Sequence, residues 1–437
     1  MSEVSADTPP PEPLGSWRVL VQSFGTLAVG EGVARLLGLV AVFWTARRLE
    51  PGGFGLITLG ATLVAWFSLV VDSGTEVLKT RDISRHPHRL REIAEPVLGL
   101  RLVLSTGAAG VFALAALFAT HRQADRNLLW LFALVLPARA LNLRWMVLGV
   151  RASKAVAVGN VASQLVFAGG VFLLVSDKHD TSVVPILQAG GELAYALVVL
   201  AAVARRFGIL RPRVDLGGWL ATLRASLPLF VNAAARAAVY SFNIVLIAAI
   251  LKRSDVGFYG AAYKPVLFFI GAAGLFFISF LASYSGASAE DASALLRRTI
   301  RISALITIPI ALVLSATSSV VVTIVYGDAY APAATSLAIL SWMIPVLALA
   351  GPYGNVLIAG DRQGILMRNN LLSAAFSVAA NAAVVPLAGI EGAAIVAVAS
   401  QFLVLALSYR SAVGLKLAPP LGTLLRPRPS SAMETPR

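Results

Sequence analysis

Apolar residues fall into twelve long stretches along the chain, separated by polar breaks too short to fold on their own. A run of about 20 apolar residues crosses the hydrocarbon core of a bilayer as an α-helix. The pattern predicts spans at Val19–Ala46, Phe54–Leu78, Ala94–Thr120, Leu128–Val150, Ala155–Ser176 and Val183–Ala204. A second set follows at Leu227–Leu251, Val256–Gly286, Thr299–Tyr326, Ala333–Ala359, Ile365–Pro386 and Gly389–Ser411. The expected fold is an all-α integral membrane protein: a disordered lead over 1–15, six-helix halves over 16–210 and 211–413, and a disordered tail over 414–437.

Composition agrees, with 57% hydrophobic and 13% charged residues. Charge decides the orientation, because loops rich in Lys and Arg stay in the cytoplasm. Of the 36 basic residues, 24 fall on one side, among them Lys79, Arg81, Arg205, Arg206, Arg297 and Arg298; seven fall on the other and five lie inside spans. An even number of spans then leaves both termini cytoplasmic. The net charge of +14 sits in short loops beside apolar spans, where topology and anionic lipid headgroups account for it and nucleic acid is not needed. Zero cysteines exclude disulfides and thiolate metal sites.

The halves repeat weakly. Arg35 lies in a span that ends at Arg47-Arg48 and is followed by Gly53-Phe54-Gly55; Arg236 lies in one that ends at Lys252-Arg253 and is followed by Gly257-Phe258-Tyr259-Gly260. Both arginines are entered from the same side, so the repeat is parallel, six helices plus six.

A charge at mid-bilayer costs about 2.5–3.5 kcal/mol on insertion scales, so each is a candidate functional residue. Five cations (Arg35, Arg139, Arg144, Arg236, Lys264) and three anions (Glu31, Asp72, Glu192) qualify, an excess of positive charge that favours an anionic passenger. Glu31 and Arg35 are four residues apart on one helix face, where they line a cavity or pair structurally. Arg236 has no acidic neighbour three or four residues away. Arg144, near Arg151, is placed to reach the cytoplasmic interface, Asp72 to anchor against basic loops, and Glu192 to hold a proton or cation. There is no GxxxxGK[ST] loop, no histidine pair at metal-ligand spacing on a helix and no external loop long enough for a catalytic domain, so no cofactor and no enzymatic chemistry are expected.

Several segments share a pattern: Gly32 to Gly38 with Ala46 to Gly55; Asp72-Ser73-Gly74 with Thr80 to Arg85; Trp145-Met146-Val147-Leu148-Gly149; Val256 to Lys264; Tyr326-Gly327-Asp328; and Asn381 with Pro386, Gly389 and Gly392. In order and spacing, from about Arg18 to Tyr409, they resemble the Wzx-type polysaccharide flippases of the multidrug/oligosaccharidyl-lipid/polysaccharide exporter superfamily. The resemblance implies two six-helix bundles in a V around a central cavity. It also implies translocation of undecaprenyl-diphosphate-linked oligosaccharide across a bacterial inner membrane by alternating access, by a monomer that can associate with a polysaccharide polymerase. Arg35, Arg236, Lys264 and Arg139 would then meet the diphosphate or line the cavity, and Glu31, Asp72 and Glu192 would serve proton or sodium coupling. A lipid-linked peptidoglycan precursor flippase shares the fold but usually carries two further spans, a drug antiporter calls for an acidic cavity, and a membrane glycosyltransferase or ligase needs longer loops. The chain departs from the family pattern at Glu50, where Leu-Gly-Pro is usual, and at Asn243, where members often carry Asp.

Overall fold

The computed structural model describes residues 17–119, 122–150, 152–285 and 289–420; the lead, and the tail beyond 420, lie outside them. Within the described residues every regular element is helical. The first half contains α1 (Trp17–Asp72), α2 (Thr75–Arg85), α3 (Leu90–Ala119), α4 (Gln123–Ala133), α5 (Val135–Ala140), α6 (Arg144–Gly149), α7 (Ser153–Leu174) and α8 (Val183–Phe207). The second contains α9 (Leu216–Ile250), α10 (Arg253–Ser285), α11 (Ala289–Ala316), α12 (Ser318–Tyr326), α13 (Ala333–Leu340), α14 (Met343–Ala359) and α15 (Gln363–Gly414). Nine helices among the described residues are long and apolar enough to cross a membrane.

The expected breaks and the observed ones differ for backbone reasons. The first two expected spans run on as α1, which turns at Glu50 (φ 58°, ψ 170°) rather than at a loop, and the last two run on as α15, which turns at Gly389 (φ 57°, ψ −142°). Conversely, the expected fourth span is broken into α4, α5 and α6, with Pro137 in the short middle piece. The expected ninth and tenth are broken at Thr317 and at Ser341-Trp342. α9 starts at Leu216 instead of Leu227, because Asp215 caps it by accepting from the Gly218 N–H (3.0 Å) and the Trp219 indole donates to the Pro96 carbonyl (2.8 Å).

Glu50 lies in a region of backbone space that is essentially restricted to glycine and costs other residues about 1–3 kcal/mol. This explains why the departure from Leu-Gly-Pro matters. Glu50→Gly should raise thermal stability by about 1 kcal/mol, the relieved strain being partly offset by glycine's greater unfolded-state entropy. Thermal unfolding of the purified protein checks this, and a lower midpoint would count against it.

The first-half core packs Leu49, Phe112, Phe132, Leu136 and Val171 together, and the second packs Tyr259, Tyr330, Leu337 and Met343. The halves meet mainly where α1 crosses α10. There the backbones touch: a Cβ on Gly55 would overlap the Arg253 carbonyl, and one on Gly257 would overlap the Pro51 carbonyl. Small residues permit such close crossings, which supply the van der Waals contact that holds helices together in lipid. Tyr330 adds a hydroxyl bond to the Ala46 carbonyl (2.8 Å), and Arg253 pairs with buried Asp125 across the same seam.

Candidate functional site: two polar cavities

Two polar cavities lie where the halves face each other. The larger, of about 570 Å³, brings Arg35 of α1 together with Arg236 and Tyr240 of α9 and with Asn370 and Gln401 of α15. The two arginines singled out from the sequence therefore share one cavity, although 200 residues separate them. Arg35 donates from Nε (3.3 Å) and Nη2 (3.2 Å) to Glu31 Oε1, as four-residue helical spacing allows. Asn160 Nδ2 holds the other oxygen of Glu31 at 2.7 Å. The remaining guanidinium nitrogen, Nη1, lies against Gly271, where a larger residue would displace it.

Arg236 forms no ion pair with any described residue; its neighbour is the Tyr240 hydroxyl one turn along. An exposed guanidinium without a carboxylate keeps its forked donors available to a ligand. Asn370 donates to Asn232 (2.9 Å) and so ties α15 to α9 beside it. The Gln401 amide nitrogen, on a residue only 1% exposed, has no partner among the described residues, and a buried unmade hydrogen bond costs about 1–3 kcal/mol.

The smaller cavity, of about 260 Å³, is built mostly from the first half. Arg139 of α5 donates to Glu192 of α8 at 2.9 Å, and Lys264 of α10 reaches in from the second half. The sequence therefore named four cavity cations, and the structure divides them into two pairs.

The other two intramembrane candidates lie elsewhere. Asp72, at the end of α1, accepts from the Glu76 N–H (3.0 Å) and pairs with Arg101 of α3; it lines neither cavity. Arg144 lies 3.8 Å from Glu76 at the same end. Asn243 is sealed in the core, where its amide donates to the Tyr259 hydroxyl and its carbonyl accepts from the Ile244 N–H (2.9 Å).

Counting charges by loop missed some of this. Arg101, which the sequence reading does not single out, is 4% exposed, with Thr75 Oγ1 (3.0 Å) and the Asn142 carbonyl (3.1 Å) as further acceptors. Its place eight residues into an apolar run was the available signal. Asp125 and Arg253 each fall just outside an apolar run and so are not among the intramembrane candidates, and the cavity amides Gln164, Gln188, Asn232, Asn370 and Gln401 carry no charge to search for.

Known proteins extend this picture. No curated protein matches the chain in sequence. Among solved structures, an inward-facing multidrug resistance MATE family transporter of the MOP superfamily is similar at a TM-score of 0.69 and 14% identity, over 90% of this chain and 98% of that one. The lipid II flippase MurJ in an inward closed conformation is similar at 0.61 and 10%, over 90% and 88%. A MOP superfamily transporter from Pyrococcus furiosus, described by a binding pocket of reversed polarity, is similar at 0.58 and 11%, over 94% and 97%. The fold is thus that of the MOP-superfamily transporters. The model of the polysaccharide biosynthesis protein family matches residues 20–279, more than half of the chain, so this multi-pass membrane protein belongs to the polysaccharide biosynthesis protein family.

Proposed function

We propose that the chain is a flippase that carries undecaprenyl-diphosphate-linked oligosaccharide across the bacterial inner membrane by alternating access. The observation that carries this reading is the shared cavity of Arg35 and Arg236, one from each half, with Arg236 free of any carboxylate among the described residues. A diphosphate brings about two negative charges, whose burial without partners would cost many kcal/mol. Two guanidiniums offer forked donors matched to its oxygens. The sugars pass through the water-filled space, the prenyl tail stays in lipid, and no bond is made or broken. Membership of the polysaccharide biosynthesis family favours this substrate over a drug cation, which two arginines would repel.

In this reading the twelve sequence spans form two six-helix bundles, with α1 and α15 each supplying two legs on either side of Glu50 and Gly389. Glu31 and Glu192, beside the cavities, are the coupling carboxylates for proton or sodium, and Asp72, tied to Arg101 away from both, is a structural anchor.

Complementation tests the function: in cells lacking their polysaccharide flippase the chain should restore surface glycan. Failure there, with rescue of cells lacking the lipid II flippase, would replace the substrate. Orientation has its own check, made clean by the absence of native cysteine. In this reading both termini are cytoplasmic, so Ser182→Cys should react with an impermeant thiol reagent from outside and Ser84→Cys should not. Both side chains are exposed, and the reverse result would invert the topology.

A further inference from the structure

We propose that the smaller cavity is a second ligand site, one that takes an acidic sugar of the transported glycan and binds its carboxylate at Lys264. The inference rests on the flippase reading and adds a substrate class to it. No lining residue is common to the two cavities, so this site is distinct from the one holding Arg35 and Arg236.

The charge balance sets the ligand. Arg139 and Glu192 satisfy each other at 2.9 Å, whereas Lys264 pairs with no carboxylate among the described residues. One positive charge is left over, which suits a single carboxylate better than a diphosphate. Around it stand neutral hydrogen-bonding side chains. Ser163, Gln164 and Gln188 line the same wall, while the Thr58 hydroxyl and the Gln164 amide oxygen are covered by Gly260 and Gly38. Hydroxyls and amides of this kind recognise sugar hydroxyls, and Phe167 supplies an apolar face for the ring. A bare inorganic anion would use Lys264 and make no use of Ser163 and Gln188.

Among the lining residues Lys264 alone comes from the second half. Its helix reaches the cavity through the crossing at which Gly260 packs on Thr58. The carboxylate ligand therefore belongs to the state in which the halves are closed at that crossing, and an acidic sugar would leave as they part.

The test uses the full-length protein purified in detergent, with its thermal midpoint followed against D-glucuronate, D-glucose, acetate and inorganic phosphate at matched ionic strength. Glucuronate should give a saturable rise of about 1–2 °C. Glucose and acetate should give none at equal concentration. Lys264→Gln should abolish the rise, Lys264→Arg should keep it, and Arg236→Ala, which alters only the larger cavity, should leave it intact. If Lys264→Gln does not accumulate, Gln188→Leu serves instead and should raise the half-maximal glucuronate concentration at least fivefold. No response to glucuronate, an equal response to acetate, phosphate or glucose, or an unchanged response in these variants would overturn the site. Loss of the glucuronate effect with intact complementation removes only this site; failed complementation with the effect intact removes only the flippase reading.

Discussion

Arg236→Ala should abolish export of the lipid-linked glycan while the protein remains in the membrane at its normal level. The side chain has no ion-pair partner among the described residues, so its removal strands no buried carboxylate and opens no core cavity. On the proposed reading, what is lost is its charge-assisted bonding to a diphosphate. Truncating one member of such a pair costs about 2–5 kcal/mol, or roughly 30-fold to several-thousand-fold in affinity. Arg236→Lys should keep part of the activity, since an ammonium still attracts phosphate but lacks the planar fork. Arg35→Ala should be less clean, because it removes the partner of Glu31, leaving Asn160 as that carboxylate's remaining side-chain donor. Surface display of glycan in a flippase-null strain is the readout, with membrane protein level as control. Full display by Arg236→Ala at normal expression would remove the headgroup assignment.

The second large effect concerns stability. Asp72→Ala should deplete the folded protein, since it leaves the buried Arg101 guanidinium without its counter-charge. Breaking a buried pair in this way costs about 3–5 kcal/mol, and the lower end applies here because Asp72 is itself a third exposed. The double variant Asp72→Ala with Arg101→Met should recover much of the loss, because the stranded charge is then gone as well. Membrane abundance and the thermal midpoint report both. A double variant no more stable than the single would mean that Arg101 acts through Thr75 and Asn142 rather than through Asp72.

The features legible in the sequence were local ones. Apolar runs gave the helices, and four-residue spacing gave the Glu31–Arg35 contact, because helix geometry alone brings such positions together. The pairs Arg101–Asp72, Arg139–Glu192 and Arg253–Asp125 join residues far apart in the chain, and no periodicity encodes them. Helix breaks were misjudged in both directions for one reason. Hydropathy sees a polar interruption at Arg47-Arg48-Leu49-Glu50 but not that one unusual φ lets the helix resume at once, and it sees nothing at Pro137, where an apolar run continues while its hydrogen bonding does not. The assignment of Arg35 and Arg236 to a common cavity needed the tertiary fold, although weak internal symmetry had already placed them at corresponding positions.

Under the proposed alternating access, the crossing of Gly55 with Gly257 would also govern how evenly the two halves are poised. A seam made of backbone against backbone has almost no intermediate settings: a side chain at either position is a wedge, and its size becomes a dial on the equilibrium between states closed and parted at that end. Each 1.4 kcal/mol of misfit would change the ratio of those states about tenfold. Glycine at both positions would leave that ratio to ligands and to the Asp125–Arg253 pair.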